Sequence, residues 1–388
     1  MTRQRGTVDD SETGATALGT TDRLFDFFGR HRSVAIMAAM LLVAIALPLI
    51  VLAPPFSGFN TQGVWIDNFN GAGIYVLLAL GLNVVVGLAG LLDLGYAAFF
   101  AIGAYAYGLL ASSFYGIHVP FWPMLIVGAL VAALFGIALG APTLRLRGDY
   151  LAIVTLGFGE IVPVVFTNSD ALTNGTNGIS GVDRPSLPGI IFGASNPIPF
   201  YVTMVVLLTI VLILLYRLQD SRLGRAWMAI REDELAAASS GVNTITTKLL
   251  AFALGATTSG LAGVFAASRL VFVSPDQFGF TVSFTILAMV VLGGMGNIWG
   301  VAIGAFVVFI VQSVVLKQLT NFLQPLNIPF LSSIDFLQYQ FLLFGIALVA
   351  MMLLRPEGLF PSSRRRRELH TPQGDDLSSP QESAEPLA

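Results

Sequence analysis

Three consecutive runs decide the fold: PFYVTMVVLLTIVLILLY (199–216), RLQDSRLGRAWMAIREDELAAASSGVNTITTK (217–248) and LLAFALGATTSGLAGVFAAS (249–268). The first and third carry no charge, and each is long enough to cross a hydrocarbon core roughly 30 Å thick as a helix. The middle run holds Arg222, Arg225, Arg231, Glu232, Asp233 and Glu234. A span, a charged loop and a second span is the signature of a chain threaded through a bilayer. The whole sequence agrees: of 388 residues 55% are hydrophobic and only 11% charged, where a soluble domain carries about a quarter. Forty glycines suit helices that approach closely in lipid. The expected fold is all-α, a polytopic transmembrane helix bundle of about ten spans with one or two broken or re-entrant.

The expected spans are 34–53, 72–91, 96–115, 121–141, 150–167, 199–216, 249–268, 281–293, 298–316 and 337–354. With Arg23, Arg30 and Arg32 inside, this threading puts Arg145 and Arg147, the charged loop, and Arg364 to Arg367 on the same side, as the positive-inside rule requires. The organisation is therefore a cytoplasmic N-terminal tail (1–33) and a transmembrane domain (34–355). A C-terminal tail (356–388), also cytoplasmic, reads as largely disordered, its arginines lying against anionic lipid. The domain carries an extracytoplasmic loop at 168–198 and a cytoplasmic loop at 217–248. Segment 281–293 is short for a crossing and runs into Gly293, Gly294 and Gly296, so a re-entrant or broken helix is expected there; the stretch from Gly90 through Asp93 to Gly95 has the same look. The echo of Ile102-Gly103-Ala104-Tyr105 in Ile303-Gly304-Ala305-Phe306 is a weak sign of internal duplication.

Several chemistries are excluded. There is no cysteine, hence no disulfide and no thiolate metal site. The three histidines, His31, His118 and His370, are scattered. The only lysines are Lys248 and Lys317, and neither follows a glycine-rich loop, so the phosphate-cradling G-x-x-x-x-G-K-[ST] pattern is missing. A driving force must come from another subunit.

Inside the charged loop, Arg225 to Ser240 is a good helix former, with Trp227, Ile230 and Ala237 spaced for one apolar face and Gly241 placed as a left-handed stop. Such a helix couples to a motor subunit, or it lies along headgroups or its own bundle. Glu160 sits roughly 15 Å deep, flanked by Gly157, Gly159 and Pro163. A carboxylate at that depth costs about 2.5–3.5 kcal/mol on insertion scales, so it lines the transport route or makes an interhelical bond. Asp93 lines a cavity or, more simply, caps a helix. Arg269 is expected to snorkel to the headgroups. The loop 168–198 reads as turns; it is a docking surface or a solvated connector, with Asp170, Asn174, Asn177, Asp183 and Arg184 as its polar contacts. The glycosylation pattern at Asn174-Gly175-Thr176 is discounted as a chance match.

Six blocks in order resemble the permease subunits of ABC importers for branched-chain amino acids, the Liv type, and more closely the M subunit than its H partner. They are GLNVVVGLAGLLDLGYAAFFAIGAYAYGLL (81–110), LRLRGDYLAIVTLGFGEIVPVVFTN (144–168), NGTNGISGV (174–182), SRLGRAWMAIREDELAAASSGVN (221–243), AMVVLGGMGNIWGVAIGA (288–305) and LRPEGLF (354–360). The resemblance implies an importer subunit of a bacterial plasma (inner) membrane, with no catalysis and no cofactor of its own and no nucleic acid. Its implied partners, besides membrane lipid, are a second H-like permease, two cytoplasmic ATP-binding subunits and an extracytoplasmic solute-binding protein. It also implies an ATPase-coupling role for Arg225, Ala226, Ile230, Arg231, Glu232, Asp233, Glu234, Ala237 and Gly241, and a translocation pathway near Glu160, Gly157, Gly90, Asp93, Gly293 and Gly294. The general E-A-A-x-x-x-G coupling pattern is met only in part, because Leu235 stands where its glutamate belongs. The implied cargo is leucine, isoleucine and valine; urea or short amides are the alternative within the class, and an ion-coupled secondary transporter using Glu160 is the alternative outside it. No cluster of carboxylates, histidines or nucleophiles supports a membrane enzyme.

Overall fold

The computed structural model describes residues 42–48, 50, 64–143, 149–193, 196–323, 339–355 and 358–359. The chain forms two units, Met1–Phe59 and Asn60–Ala388. In the first, 42–48 are helical; the rest of the expected 34–53 span, the 1–33 tail and nearly all of the 356–388 tail lie outside the described residues.

The second unit is a helix bundle. Its helices are α1 (Val64–Leu82), α2 (Ala97–Leu110), α3 (Phe121–Thr143), α4 (Asp149–Asn168), α5 (Ile198–Gln219), α6 (Arg222–Glu232), α7 (Glu234–Ser239), α8 (Thr244–Leu270), α9 (Phe280–Gly293), α10 (Ile298–Ile310) and α11 (Gln340–Leu354). A π-helical stretch, Asn83–Leu88, prolongs α1, and another, Val311–Val315, joins α10 to Leu316–Leu323. Seven stretches among the described residues are long and apolar enough to cross a membrane, and Ala97–Leu110 and Gln340–Met351 are apolar but shorter. Segment 281–293 gains length from a 3-10 turn at Pro275–Phe278, so that Pro275–Gly293 is one of the seven.

The core sits around α1 and α8, the most deeply buried spans. Helix α8 packs most extensively on α3 and α2, and small residues set the approach. A methyl group on Gly103 of α2 would fall 2.5 Å from the Cα of Gly260 in α8, and one on Gly260 would meet the Gly128 carbonyl of α3 at 2.6 Å. Helices gain van der Waals contact in lipid only where side chains let the backbones meet.

Helix α1 begins at Val64, eight residues before the expected span. Its first turns contain Asp67 and Asn70, polar residues that both find partners. Arg269 Nη2 lies 2.6 Å from Asp67 Oδ2, with a second bond from Nε to Oδ1 at 3.0 Å. Fully buried Asn70 donates to the Pro197 carbonyl at 3.4 Å. Arg269 therefore clamps two helix ends.

The 168–198 loop is also more regular than its composition suggests. It contains helical turns at Asp170–Thr173 and Gly175–Asn177, and β3 (Ile179–Ser180) pairs antiparallel with β4 (Phe272–Val273), Ile179 opposite Val273. A second hairpin joins β1 (Ala111–Ser112) to β2 (Ile117–His118).

Replacing Gly260 by valine should lower the melting temperature and the yield of folded protein, since overpacking a core costs about 1–3 kcal/mol or more. Gly345→Ala in α11, where a methyl meets nothing within 4 Å, should leave both unchanged in the same thermal-unfolding assay.

Candidate functional site

The charged loop folds as two helices, not the single one expected. Ser221 starts α6 by accepting from the Gly224 N–H at 3.2 Å. Asp233 then turns to extended backbone (φ −153, ψ 111), and its carboxylate accepts from Leu235 and Ala236 N–H at 2.8 and 3.0 Å. An aspartate that caps a new helix outcompetes its own place inside the old one. Helix α7 ends as anticipated at Gly241, whose φ is +87. The Val242 N–H returns to the Ala237 carbonyl and the Gly241 N–H to that of Ala238, which is a Schellman motif.

The apolar face is as expected. Trp227 is fully buried, with Ile230 and Ala237 beside it, and the Trp227 Nε1 donates to the Thr247 carbonyl at 2.6 Å. Glu234 pairs with Lys248 at 2.6 Å. The loop is thus a rigid projection held on the bundle. Its outer surface presents Arg225, Glu232 and Asp233 together with Ala236 and Ala238. It also presents Leu235, 68% exposed. In the sequence Leu235 stands out only as a departure from a pattern; in the structure it is held out in the first turn of α7.

Arg231 is exposed as well, yet its guanidinium reaches back to the bundle. Its Nη1 donates to the Gly87 carbonyl at 2.5 Å, at the π-helical prolongation of α1. Gly90, at φ +70, lies where a methyl group would strike Arg231 Cγ at 2.7 Å, so glycine there answers to both backbone and space. The break after α9 arrives at the same point. Gly294 and Gly296 take φ of +110 and +83, and the Gly296 N–H donates to Asn83 Oδ1 at 2.8 Å. Gly358 packs against Gly294, and the Leu359 N–H reaches the Leu292 carbonyl at 2.9 Å. Four distant sequence blocks thus share one junction, which the spacing of the sequence could not reveal. Gly293 lies outside it, pressed against Gly300 and Val301 in the α9–α10 crossing.

Asp93 is buried, and its Oδ1 accepts from the Gly95 N–H at 2.9 Å. It stabilises a turn rather than capping a helix: the first turn of α2 is served instead by Ser283 of α9, which accepts from Ala97 N–H at 2.9 Å. Glu160 is exposed on α4, and Gly157 one turn away has nothing within 4 Å; neither joins the junction. At the opposite end of the bundle, Asp183 Oδ2 meets His118 Nδ1 at 2.7 Å, and Asn174 Nδ2 donates to the Gly178 carbonyl at 2.8 Å. Both are committed internally, whereas Asp170, Asn177 and Arg184 are exposed.

The family model described as "Branched-chain amino acid transport system / permease component" matches residues 66–354. The chain is 40% identical to the high-affinity branched-chain amino acid transport system permease protein LivM of Salmonella typhimurium, over 87% of this chain and 77% of that one. It is likewise 40% identical to LivM of Escherichia coli, over 86% and 76%. LivH of Escherichia coli, a permease protein of the same named system, is 25% identical over 63% of this chain and 83% of its own. No solved structure matches.

Removing the cap at Asp233 by alanine should cost about 1 kcal/mol. Hydrogen exchange should quicken at the Leu235 and Ala236 amides by about fivefold, while the Trp227 side of α6 keeps its protection.

Proposed function

The chain belongs to the family of branched-chain amino acid transport permease components, and on that premise we propose that it is the M-type membrane subunit of an ATP-driven ABC importer for leucine, isoleucine and valine. It is a transport subunit and not an enzyme; ATP is hydrolysed by separate subunits. The complex we infer contains an H-type permease, two ATP-binding subunits and a soluble binding protein. It sits in the bacterial plasma membrane with α6, α7 and both termini on the cytoplasmic side. Identity at the 40% level with two branched-chain permeases weighs for amino acids over urea or short amides, and against an ion-coupled carrier.

One observation carries the mechanism: the bond from Arg231 to the Gly87 carbonyl. The exposed tip around Leu235, with Arg225, Glu232 and Asp233 beside it, is the surface for the ATP-binding subunit. When ATP binding closes the motor pair, the α6–α7 projection moves as a unit, because Trp227 and the Glu234–Lys248 pair fix it. Arg231 passes that movement to the π-helical stretch and, through Asn83, to the glycine break before α10. Interrupted helices are where a membrane bundle changes shape at least cost, so force arrives at the points able to yield. On the opposite face, Asp170, Asn177 and Arg184 are the groups we assign to the binding protein.

In proteoliposomes holding all subunits, leucine uptake should require ATP and the ATP-binding subunits; uptake that persists on an ion gradient without them would overturn the reading. Arg231→Ala should cut leucine moved per ATP hydrolysed by about tenfold, within the usual range of coupling energies. Leu235→Asp should instead abolish co-purification with the ATP-binding subunit.

A further inference from the structure

Charges in the spans follow a rule that one residue breaks. Among the described residues, Asp67, Arg217, Lys248, Arg269, Asp276 and Lys317 all lie within about a turn of the end of a membrane-length stretch, where water and headgroups are in reach. Glu160 lies about 16 Å from the start of α4 and about 12 Å from its end at helical rise, near the middle.

Its surroundings are equally unusual. The span from Tyr150 to Asn168 is the least buried of the seven. One side of α4 packs inward, through Leu151, Thr155 and Gly159. The other is a stripe of Ile153, Gly157, Glu160 and Val164 at helical spacing, flanked by Ile161. The Glu160 carboxylate makes no hydrogen bond or ion pair with another described residue, although the end charges Asp67 and Lys248 are paired within the chain. The outward faces of α3 (Ile126, Leu130, Leu134) and α5 (Val206, Ile210, Leu214) are apolar and suit lipid. The α4 face does not, because an intramembrane carboxylate faces protein or water.

We propose that this face of α4 is one wall of a passage shared with the second permease subunit, and that Glu160 receives the ammonium group of the amino acid in transit. The inference rests on the importer reading above. The match is chemical: the carboxylate answers the ammonium, the Ile and Val stripe suits a branched aliphatic side chain, and the space beside Gly157 leaves room for a small ligand. The partner permease, rather than lipid, closes the seam, since only protein or enclosed water can solvate the carboxylate when no substrate is present.

The test uses the complete complex in liposomes with leucine as the probe. A photo-crosslinking benzoylphenylalanine at Val164 should capture the second permease; capture of lipid alone would overturn the assignment. Glu160→Gln should assemble with its partners yet lower leucine uptake at limiting leucine by about ten- to a hundredfold, the range of one charge-assisted hydrogen bond. Glu160→Asp should recover part of it. Wild-type uptake unchanged in Glu160→Gln would overturn the proposal alone. So would loss of subunit assembly in Glu160→Gln that Glu160→Asp restores, which would make Glu160 a structural pair at the interface. A wild-type complex that takes up no leucine would sink the importer reading and this proposal with it.

Discussion

Inside a bilayer every backbone N–H and C=O left over by a helix break must find its partner in the protein. This structure meets that demand with side chains brought from far along the sequence. Asn83 serves the Gly296 N–H, Ser283 the Ala97 N–H, Thr155 the Leu94 N–H, and Arg231 the Gly87 carbonyl. Each replaces a hydrogen bond that an unbroken helix would have made by itself. The interruptions of α1 and of the α9–α10 connection are therefore tied to one another and to the charged projection. A change at any one of the three alters what satisfies the other two.

The packing around this junction follows from the same economy. With no hydrophobic drive between helices in lipid, close contact is the main source of cohesion, and the glycines of α2, α3 and α8 allow it. The charged projection is attached to the α1–α8 centre through the Trp227 bond to the Thr247 carbonyl of α8. The interruption is itself enclosed, since every residue of the π-helical stretch Asn83–Leu88 is buried.

The sequence alone revealed the membrane class, most helices to within a few residues, the apolar face of Trp227, Ile230 and Ala237, and the stop at Gly241. All of these depend on local composition or short spacing. What stayed hidden depends on partners far away in the chain. Asp67 and Asn70 fall outside the expected 72–91 span, yet they are helical, with Arg269 and the Pro197 carbonyl as distant partners. Arg231 is one of several exposed charges on the loop, and nothing in its neighbours shows that its guanidinium reaches back to Gly87. The break at Asp233 could have been read, since aspartate followed by Glu234 and a run of small residues is an N-cap signal. The strong helix propensity on both sides concealed it.

The outer loop has a consequence of a different kind. Beyond the β3–β4 pairing, Tyr107 donates to the Asp183 carbonyl, Tyr115 to those of Ala171 and Leu172, and Trp122 to that of Ser186. A connector riveted at so many points has already surrendered its conformational freedom during folding. A protein that bound it would lose little further entropy to ordering this side of the contact, so a given affinity would need less complementarity.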